Sequence, residues 1–381
     1  MSAGSSCSRK NGRGSVGTPA GLVADVQVTA SIAASGAASA GRAVRISITR
    51  QISPARTTLC PGRDRGSVAV VRDFRFSYNV FGLGSRAEFL DVCRRGERAG
   101  YDTVFAADHL GNPAPFPTLV AAAAATERLR VGTLVLNAPF WNPSLLAREI
   151  ATTDVLTDGR LEVGLGAGHM KWEFDEAGIA WEPFGARVDG LRALIERLRA
   201  EFAADGYPQQ QPLREQFGIP ALRPVQRTGF GGHGPPLIVG GTGERVLRVA
   251  GEYADIVGVA GALQLKGSPP GTMRIATDTE IDGRVRFARE CVGDRDVEWH
   301  ILVQAVVPAD DREAAASGLA ERFGGVMSAA EILASPFVLL GTVAEMADQV
   351  QRNRERWGFS YYTVHGPFRE AFAPVIERLR P

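Results

Sequence analysis

The feature that most constrains the fold is a regular alternation of short apolar runs and amphipathic segments, from Asp73 to the end of the 381-residue chain. Each apolar run is typical of a buried strand, and the segment after it has helical spacing. Eight such pairs are predicted. The candidate strands are Phe74–Val80, Tyr101–Ala106, Val131–Leu136, Arg160–Leu165, Pro236–Val239, Ala254–Val259, Val297–Val307 and Tyr361–His365.

This pattern predicts an α/β fold, a (β/α)8 TIM barrel whose eight parallel strands close into a ring. Several candidate strands are continuously apolar, as burial on both faces requires. An open, doubly wound sheet is the alternative. It is disfavoured because no GxGxxG follows the first strand and no GxxxxGK[ST] occurs in the chain.

The first 70 residues differ from the rest of the chain. They hold nine basic and two acidic residues, no aromatic residue, and mostly Ser, Gly, Ala and Thr. Such a segment buries too little apolar surface to offset its chain entropy, so we expect a disordered N-terminal tail. A mis-started tail is the second interpretation, because bacterial genes can begin at valine-type codons such as that of Val68. A secretory signal is disfavoured, since no leucine-rich stretch is present. The barrel domain is then residues 71–381.

Composition excludes several classes of function. A net charge of +1 removes the usual electrostatic basis for binding nucleic acid. No run of about 18 apolar residues occurs, so we expect no membrane span. The four cysteines form no CxxC pair and no metal-ligand spacing, which predicts no metal site and a reducing, cytoplasmic location.

In a barrel the chemistry lies at the carboxyl ends of the strands. Three of the five histidines, His109, His169 and His365, fall at such ends. An imidazole titrates near neutral pH and suits proton transfer. His109 is therefore a candidate general acid or base, although a packed histidine beside a capping Asp108 is the alternative. Neighbouring residues of an extended strand point to opposite sides, so these two side chains are expected to point apart.

A glycine-rich turn, Gly240, Gly241, Thr242 and Gly243, lies between a buried strand and an amphipathic helix. Glycines let backbone N–H groups approach an anion, and the helix N-terminus adds a partial positive charge. The turn is predicted to hold the phosphate of a cofactor, with a plain tight turn as the alternative. Glu173 follows the fourth strand, where a solvated loop is the alternative to a role in the site.

Residues 205–236 follow the fourth predicted helix, Phe184–Ala203, without clear periodicity. Their proline, glutamine and glycine content argues against a helix. A loop of this length inside a compact domain is usually a lid or a binding loop. We therefore predict an insertion that acts as a lid.

Four motifs carry a resemblance to a known family. They are GYDTVFAADHLG, VGTLVLNAPFWNPSLLAREIATTDVLTDGRLEVGLGAG, PLIVGGTGERVLRVAGEYADIVGV and GTVAEMADQV followed by RWGFSYYTVHGPF. In order and spacing the chain resembles the luciferase-like monooxygenase superfamily from about residue 73 onward. Within it, the chain is similar to the branch that uses the deazaflavin coenzyme F420.

The resemblance implies a (β/α)8 barrel with an insertion after the fourth helix. It implies that Asp108 and His109 contact the deazaflavin ring and handle the proton. It also implies a bulge on the third strand, with a non-proline cis peptide near Leu134–Val135 behind the ring. Gly240 and Gly241 match the backbone that receives the phosphate. Further cofactor contacts are expected at the other strand ends: Asn137, Gly166, Gly168, Thr242 and Gly243.

One departure from the family bears on the substrate. Sugar-phosphate dehydrogenases of the family carry a glutamate after the GxG of the fourth strand, and this chain has His169. The resemblance thus disfavours a sugar phosphate and leaves open how His109 and His169 divide the acid and base roles. His169 or Glu173 is expected to orient the substrate.

The function expected from the resemblance is hydride transfer between a deazaflavin and a small organic substrate, in a possible homodimer. An FMN-dependent monooxygenase fed by a separate flavin reductase is the alternative within the family. A cofactor-binding barrel without turnover is the alternative of another class. It is disfavoured by the presence of Asp108 and His109 together.

Overall fold

The computed structural model describes residues 72–265, 267, 273–322 and 326–380. The predictions for residues 1–70 lie outside the described residues. The strands are β1 (Arg75–Val80), β2 (Thr103–Ala106), β3 (Arg130–Thr133), β4 (Leu136–Asn137), β5 (Leu161–Gly166), β6 (Leu237–Gly241), β7 (Ile256–Val259), β8 (Ala262–Gln264), β9 (Met273–Ile275), β10 (Glu298–Val303), β11 (Ala305–Pro308), β12 (Val338–Gly341) and β13 (Phe359–His365).

The predicted barrel is confirmed, since eight parallel strand positions form one closed ring. β1 pairs with β2 and with β13, and the sheet continues through β10, β7, β6 and β5. β3 and β4 together fill the third position, because both pair with β5 and β3 also pairs with β2. The ring therefore has no free edge among these strands.

Helices surround the ring. They are α1 (Arg86–Arg98), α2 (Pro115–Ala124), α3 (Pro143–Leu156), α4 (Lys171–Glu176), α5 (Phe184–Ala203), α6 (Gln211–Phe217), α7 (Glu244–Tyr253), α8 (Asp278–Val292), α9 (Arg312–Arg322), α10 (Ala329–Ala334), α11 (Val343–Trp357) and α12 (Arg369–Leu379).

Local sequence explains where several helices begin and end. Ser85 and Thr342 each accept a hydrogen bond from a backbone N–H inside their helix, while the third helical residue, a glutamate, bonds back to the cap. This capping box satisfies two N–H groups that the first turn leaves unpaired. Gly358 ends α11 with a φ of 82°, a conformation that favours glycine.

The barrel interior is filled in layers by side chains at alternate strand positions. At the amino end, Glu162 lies among Arg75, Arg130 and Tyr361. One layer higher, Ser77, Thr363 and His300 form hydrogen bonds, and all three are buried. Because side chains alternate along a strand, the next inward positions of β1 and β13 are Asn79 and His365.

The predicted seventh strand differs from the structure. The run Val297–Val307 forms two strands, β10 and β11, which separate at Gln304. Backbone N–H groups of Gln304 and Ala305 bond to the carbonyl of Phe337 instead of the barrel. The chain thus leaves the ring, and β11 pairs with β12 beside it. The apolar pattern could not show this change of partner, because both strands are buried.

The segment 205–236 contradicts the expectation that it contains no helix, while its role as a lid stays a prediction. It contains a helix, α6, despite its proline and glutamine content, because Pro212 occupies the first turn, where a missing N–H is harmless. It is also anchored at the amino ends of the strands. Gln226 donates to the carbonyl of Leu161, and Arg130 donates to Gln226. This anchor lies at the opposite end of the barrel from the one that a lid over the site would cover.

Candidate active site

The mouth of the barrel, at the carboxyl ends of its strands, brings several predicted residues together. On β2, Thr103 and Phe105 point into the barrel, and the same alternation continued past the end of the strand makes Ala107 and then His109 the next inward residues. The rings of His109 and His169 lie 5.4 Å apart at an interplanar angle of 85°. The fold therefore places these two candidate histidines side by side, and their catalytic roles stay predictions.

Glu173 orients His109. The Nδ1 atom of His109 lies 2.9 Å from Oε1 of Glu173, and the backbone N–H of Leu110 donates to the same oxygen at 3.2 Å. The Glu173 side chain is buried, whereas His109 keeps about a third of its surface open. A carboxylate only accepts, so Nδ1 carries the proton and Nε2 faces the mouth. Instead of the solvated loop, Glu173 lies on the short helix α4.

Asp108 points away from His109, as an extended dipeptide requires. Its Oδ2 atom accepts from the backbone N–H of Asn137 at 3.0 Å and from the indole of Trp141 at 2.8 Å. These bonds join the end of β2 to β4 and to the turn after it. The structure thus assigns Asp108 a positioning contact, and its predicted contact with a cofactor remains a prediction.

His169 lies on a loop that Arg187 holds. The Arg187 guanidinium is stacked 3.6 Å from the ring centre of Trp181 and donates to the carbonyl of Gly168 at 2.6 Å. Gly168 has a φ of 77°, and a Cβ there would meet Asn137 Oδ1 at 2.4 Å, so glycine is required. The His169 ring is open to solvent on one side. Around the rest of the ring, desolvation by packed protein atoms lowers the pKa of His169, and the nearby charges of His109 and Arg187 lower it further.

The bulge on the third strand is present. The peptide bond Leu134–Val135 is cis, and it separates β3 from β4. Leu134 packs on an inner layer of Phe105, Ile238, Ile256 and Tyr361. A Cβ on Gly164 would meet the Thr133 carbonyl oxygen at 2.2 Å. The glycines of β5 therefore make the room that the bulge needs.

One half of the barrel mouth is lined by the backbone of glycines, which have no side chains. Gly166, Gly240 and Gly258 occupy inward positions of β5, β6 and β7. Added Cβ atoms would meet Val135 at 2.7 Å for Gly166 and the Gly258 carbonyl oxygen at 2.9 Å for Gly240. Packing alone accounts for these two glycines. Because these glycines have no side chains, they form a wall of bare backbone on this half of the mouth, against which a flat ring could lie.

The glycine turn after β6 fits an anion. Gly243 is the N-cap of α7, and no side chain caps this helix. The φ of Gly243 is −91°, a value open to any residue. A Cβ on Gly243 would meet only Phe184, at an ordinary 3.6 Å, so packing does not require glycine there. Gly241 differs, because a Cβ would meet Val246 at 2.8 Å. Arg284 donates to the carbonyl of Thr242 at 3.0 Å and brings a positive charge beside the turn.

A buried hydrogen-bond acceptor that has no partner in the protein supports the presence of a polar ligand in the mouth. Asn137 is 5% exposed, and its Oδ1 atom has no hydrogen-bond partner. A buried oxygen without a partner costs about 1–3 kcal/mol, which a ligand donor would offset. Together with the uncapped turn, this residue is what a site for a polar, anionic ligand would present.

Sequence reasoning missed several residues near the site. Arg187, Trp141 and Arg284 were not among the candidates, because a single arginine on a helix or a single tryptophan in a turn has no motif. Asn79 and Gln304 border His365 in the mouth. Inward alternation on β1 and β10 was the signal that could have found these two.

The described parts of the chain lack two further features. No group of three or more His, Cys, Asp or Glu side chains there could hold a metal ion. Among the same residues, no helix has the length and apolarity to cross a bilayer.

Fold and site together define a structural class, the (β/α)8 barrels whose mouth has polar side chains on one half and glycine backbone on the other. The model of one family, the luciferase-like monooxygenases, matches residues 77–361. The chain therefore belongs to this family.

Relatives of known name use two different cofactors. An F420-dependent glucose-6-phosphate dehydrogenase of Microbacterium testaceum is 30% identical over 178 residues, 44% of this chain and 51% of that protein. The oxygenase component of a flavin-dependent trigonelline monooxygenase of Acinetobacter baylyi is 32% identical over 123 residues, 31% of this chain and 34% of that protein. The match therefore spans from a third to a half of these relatives' length.

Solved structures share the fold. An F420-dependent secondary alcohol dehydrogenase, in complex with an F420–acetone adduct, superposes with a TM-score of 0.59 at 18% identity. The match covers 81% of this chain and 100% of that one. A long-chain alkane monooxygenase gives a TM-score of 0.60 at 14% identity, covering 81% and 91%.

Proposed function

We propose that this protein is an oxidoreductase that uses coenzyme F420 to transfer a hydride to or from a small organic substrate in the barrel mouth. The observation that carries the proposal is the His109–Glu173 pair, with His169 beside it, next to the glycine-walled half of the mouth. When bound, a deazaflavin accepts or donates a hydride. The chain supplies the place for the ring and the group that moves the proton.

Each residue has a role in this proposal. The backbone of Gly241, Thr242 and Gly243 binds the cofactor phosphate, with Arg284 beside it. Leu134 and Val135 lie behind the ring. His109 Nε2 gives or takes the substrate proton, since Nδ1 is held by Glu173. His169, with its lowered pKa, is a neutral imidazole that orients the substrate.

The curated relatives favour F420 over FMN. Relatives named as F420-dependent glucose-6-phosphate dehydrogenases match from four species. His169 distinguishes this chain from the glutamate expected in a sugar-phosphate enzyme, so we propose a different substrate. The flavin-dependent relative supports the second candidate, an FMN-dependent monooxygenase that would need a flavin reductase as partner.

Binding of both cofactors to the purified protein tests the proposal. We expect the deazaflavin to bind and its fluorescence to change, and FMN to bind at least 10-fold more weakly. Tight binding of FMN without binding of the deazaflavin would favour the monooxygenase. A protein that binds neither cofactor would refute both candidates.

The role of His109 is tested by turnover. The reduced deazaflavin is mixed with a panel of aldehydes, ketones and enones, and its oxidation is followed by absorbance. For the compound that reacts, we expect His109→Ala to lower kcat about 10²–10⁴-fold, the usual contribution of general acid–base catalysis. Glu173→Gln keeps an acceptor but removes the charge, so a smaller loss with a displaced pH profile is expected. Unchanged kcat in His109→Ala would remove this residue from the mechanism.

A further inference from the structure

His365 belongs to a chain of hydrogen bonds whose direction is fixed at one end. The backbone N–H of Gly366 donates to Oδ1 of Asn79 at 3.1 Å, which sets the orientation of the Asn79 amide. The Nδ2 atom of Asn79, a donor only, lies 3.1 Å from Nδ1 of His365. The Nδ1 atom must therefore accept, and the proton of the neutral ring is on Nε2.

The other end of the chain is fixed as well. The Nε2 atom of Gln304 donates to the carbonyl of Leu302 at 3.1 Å, so its Oε1 atom faces His365. The distance from that oxygen to His365 Nε2 is 3.4 Å, longer than a usual N–H···O bond. The Nε2–H group is thus held in place but only weakly bound, and a ligand oxygen can compete for it.

The surroundings keep this imidazole neutral. Burial lowers the pKa of His365 to about 4. The ring of Phe81 lies 5.2 Å from it and covers one face. A proton on Nδ1 would also place two donors against each other at Asn79.

The position of His365 is across the barrel from β5. In the ring of eight strand positions β13 is the eighth and β5 the fourth, so these two are opposite. The alternation on β13 points His365 inward, above Thr363 and His300. His365 therefore faces the wall of bare glycine backbone from the far side of the mouth.

We propose that His365 is a neutral hydrogen-bond donor to an oxygen atom of the substrate, which selects organic compounds with a carbonyl or hydroxyl group. The assignment to substrate rests on the proposed function, which places the cofactor ring against the glycine wall. A carbonyl accepts from Nε2–H of His365. A hydroxyl oxygen can accept from it as well, so both forms of an alcohol–carbonyl pair satisfy this donor.

The tautomer is tested first, on the unmodified protein. Nitrogen-15 NMR of the histidine rings, assigned with His365→Gln, should show His365 with an unprotonated Nδ1 and a protonated Nε2 from pH 5 to 8. Asn79→Asp replaces the donor by an acceptor, so Nδ1 of His365 should become protonated. A protonated Nδ1 in the wild type would overturn the proposal.

Selection is tested with two matched probes, benzaldehyde and styrene, which differ by an oxygen in place of a methylene. Dissociation constants are measured by ligand-observed NMR, without and with cofactor. One hydrogen bond contributes about 1 kcal/mol, so we expect benzaldehyde to bind roughly 5-fold more tightly. The preference should disappear in His365→Phe, remain in part in His365→Gln, and remain in full in His233→Phe, which alters an exposed histidine before β6.

The outcomes separate the two proposals. A wild type without the preference, or a preference that persists in His365→Phe, would overturn the role of His365 whatever the cofactor. Failure to bind either cofactor would instead refute the proposed function, while the probe result without cofactor still tests His365. Should the phenylalanine variant not fold, the glutamine variant and the NMR spectrum decide.

Discussion

At the scale of residues, the histidines of the barrel differ by their depth. His300 is 3% exposed, and its Nε2 atom lies 2.7 Å from the Thr363 hydroxyl. Burial lowers its pKa to about 3, against about 6.5 in an unfolded chain. Below pH 6.5 the unfolded chain binds more protons than the folded one, so the free energy of unfolding falls as the pH falls towards 3.

This linkage predicts the effect of His300→Gln on the pH dependence of stability. Each pH unit below 6.5 costs the wild type about 1.4 kcal/mol through this residue. We expect the loss of stability between pH 7.5 and 5, measured by urea unfolding, to be about 2 kcal/mol smaller in the variant. His233→Gln, at an exposed site, should follow the wild type. Parallel curves for His300→Gln and wild type would contradict the linkage.

At the scale of elements, the bulge between β3 and β4 depends on a residue of the next strand. A Cβ at position 164 would meet the Thr133 carbonyl oxygen at 2.2 Å and Val135 at 3.0 Å. We expect Gly164→Ala to lower the free energy of unfolding by about 1–3 kcal/mol or more, because a backbone atom must move. In Gly190→Ala, on α5, the Cβ has open space, and the variant should gain about 0.5–1 kcal/mol. Equal stabilities would show that the bulge adapts.

The secondary-structure elements also show which parts of the fold could be predicted from the sequence. Period and apolarity predicted the eight barrel positions, and α5 was predicted with its observed bounds. Segment 205–236 joins the fourth predicted helix to the fifth predicted strand, so the predicted barrel already places its ends at the amino ends of the strands. Its helix α6 was not predicted, because the segment shows no clear apolar periodicity. The pairing of His109 with Glu173 was missed as a contact, although both residues were candidates. Two side chains 64 positions apart meet only through the geometry of the strand ends.

At the scale of the whole molecule, one buried carboxylate connects strands around the ring. Glu162 on β5 accepts hydrogen bonds from Arg75 on β1, Arg130 on β3 and Tyr361 on β13. Arg75 also donates to Glu298 on β10 at 2.7 Å. Five of the eight strand positions thus meet at the amino end of the barrel. Burial opposes the charge on Glu162, but the two guanidinium groups outweigh it and lower the pKa of this carboxyl.

Removing the charge of Glu162 should therefore weaken contacts between several strands of the ring at once, and so lower the stability of the whole barrel. Glu162→Gln keeps the shape and an acceptor, but it leaves Arg130 without a buried counter-charge and Arg75 with Glu298 as its remaining one. We expect the free energy of unfolding, measured in urea, to fall by about 3–5 kcal/mol. Asp91→Asn removes the exposed partner of Arg95 on α1 and should cost less than 1 kcal/mol. A loss as small as that control in Glu162→Gln would mean that apolar packing alone closes the barrel.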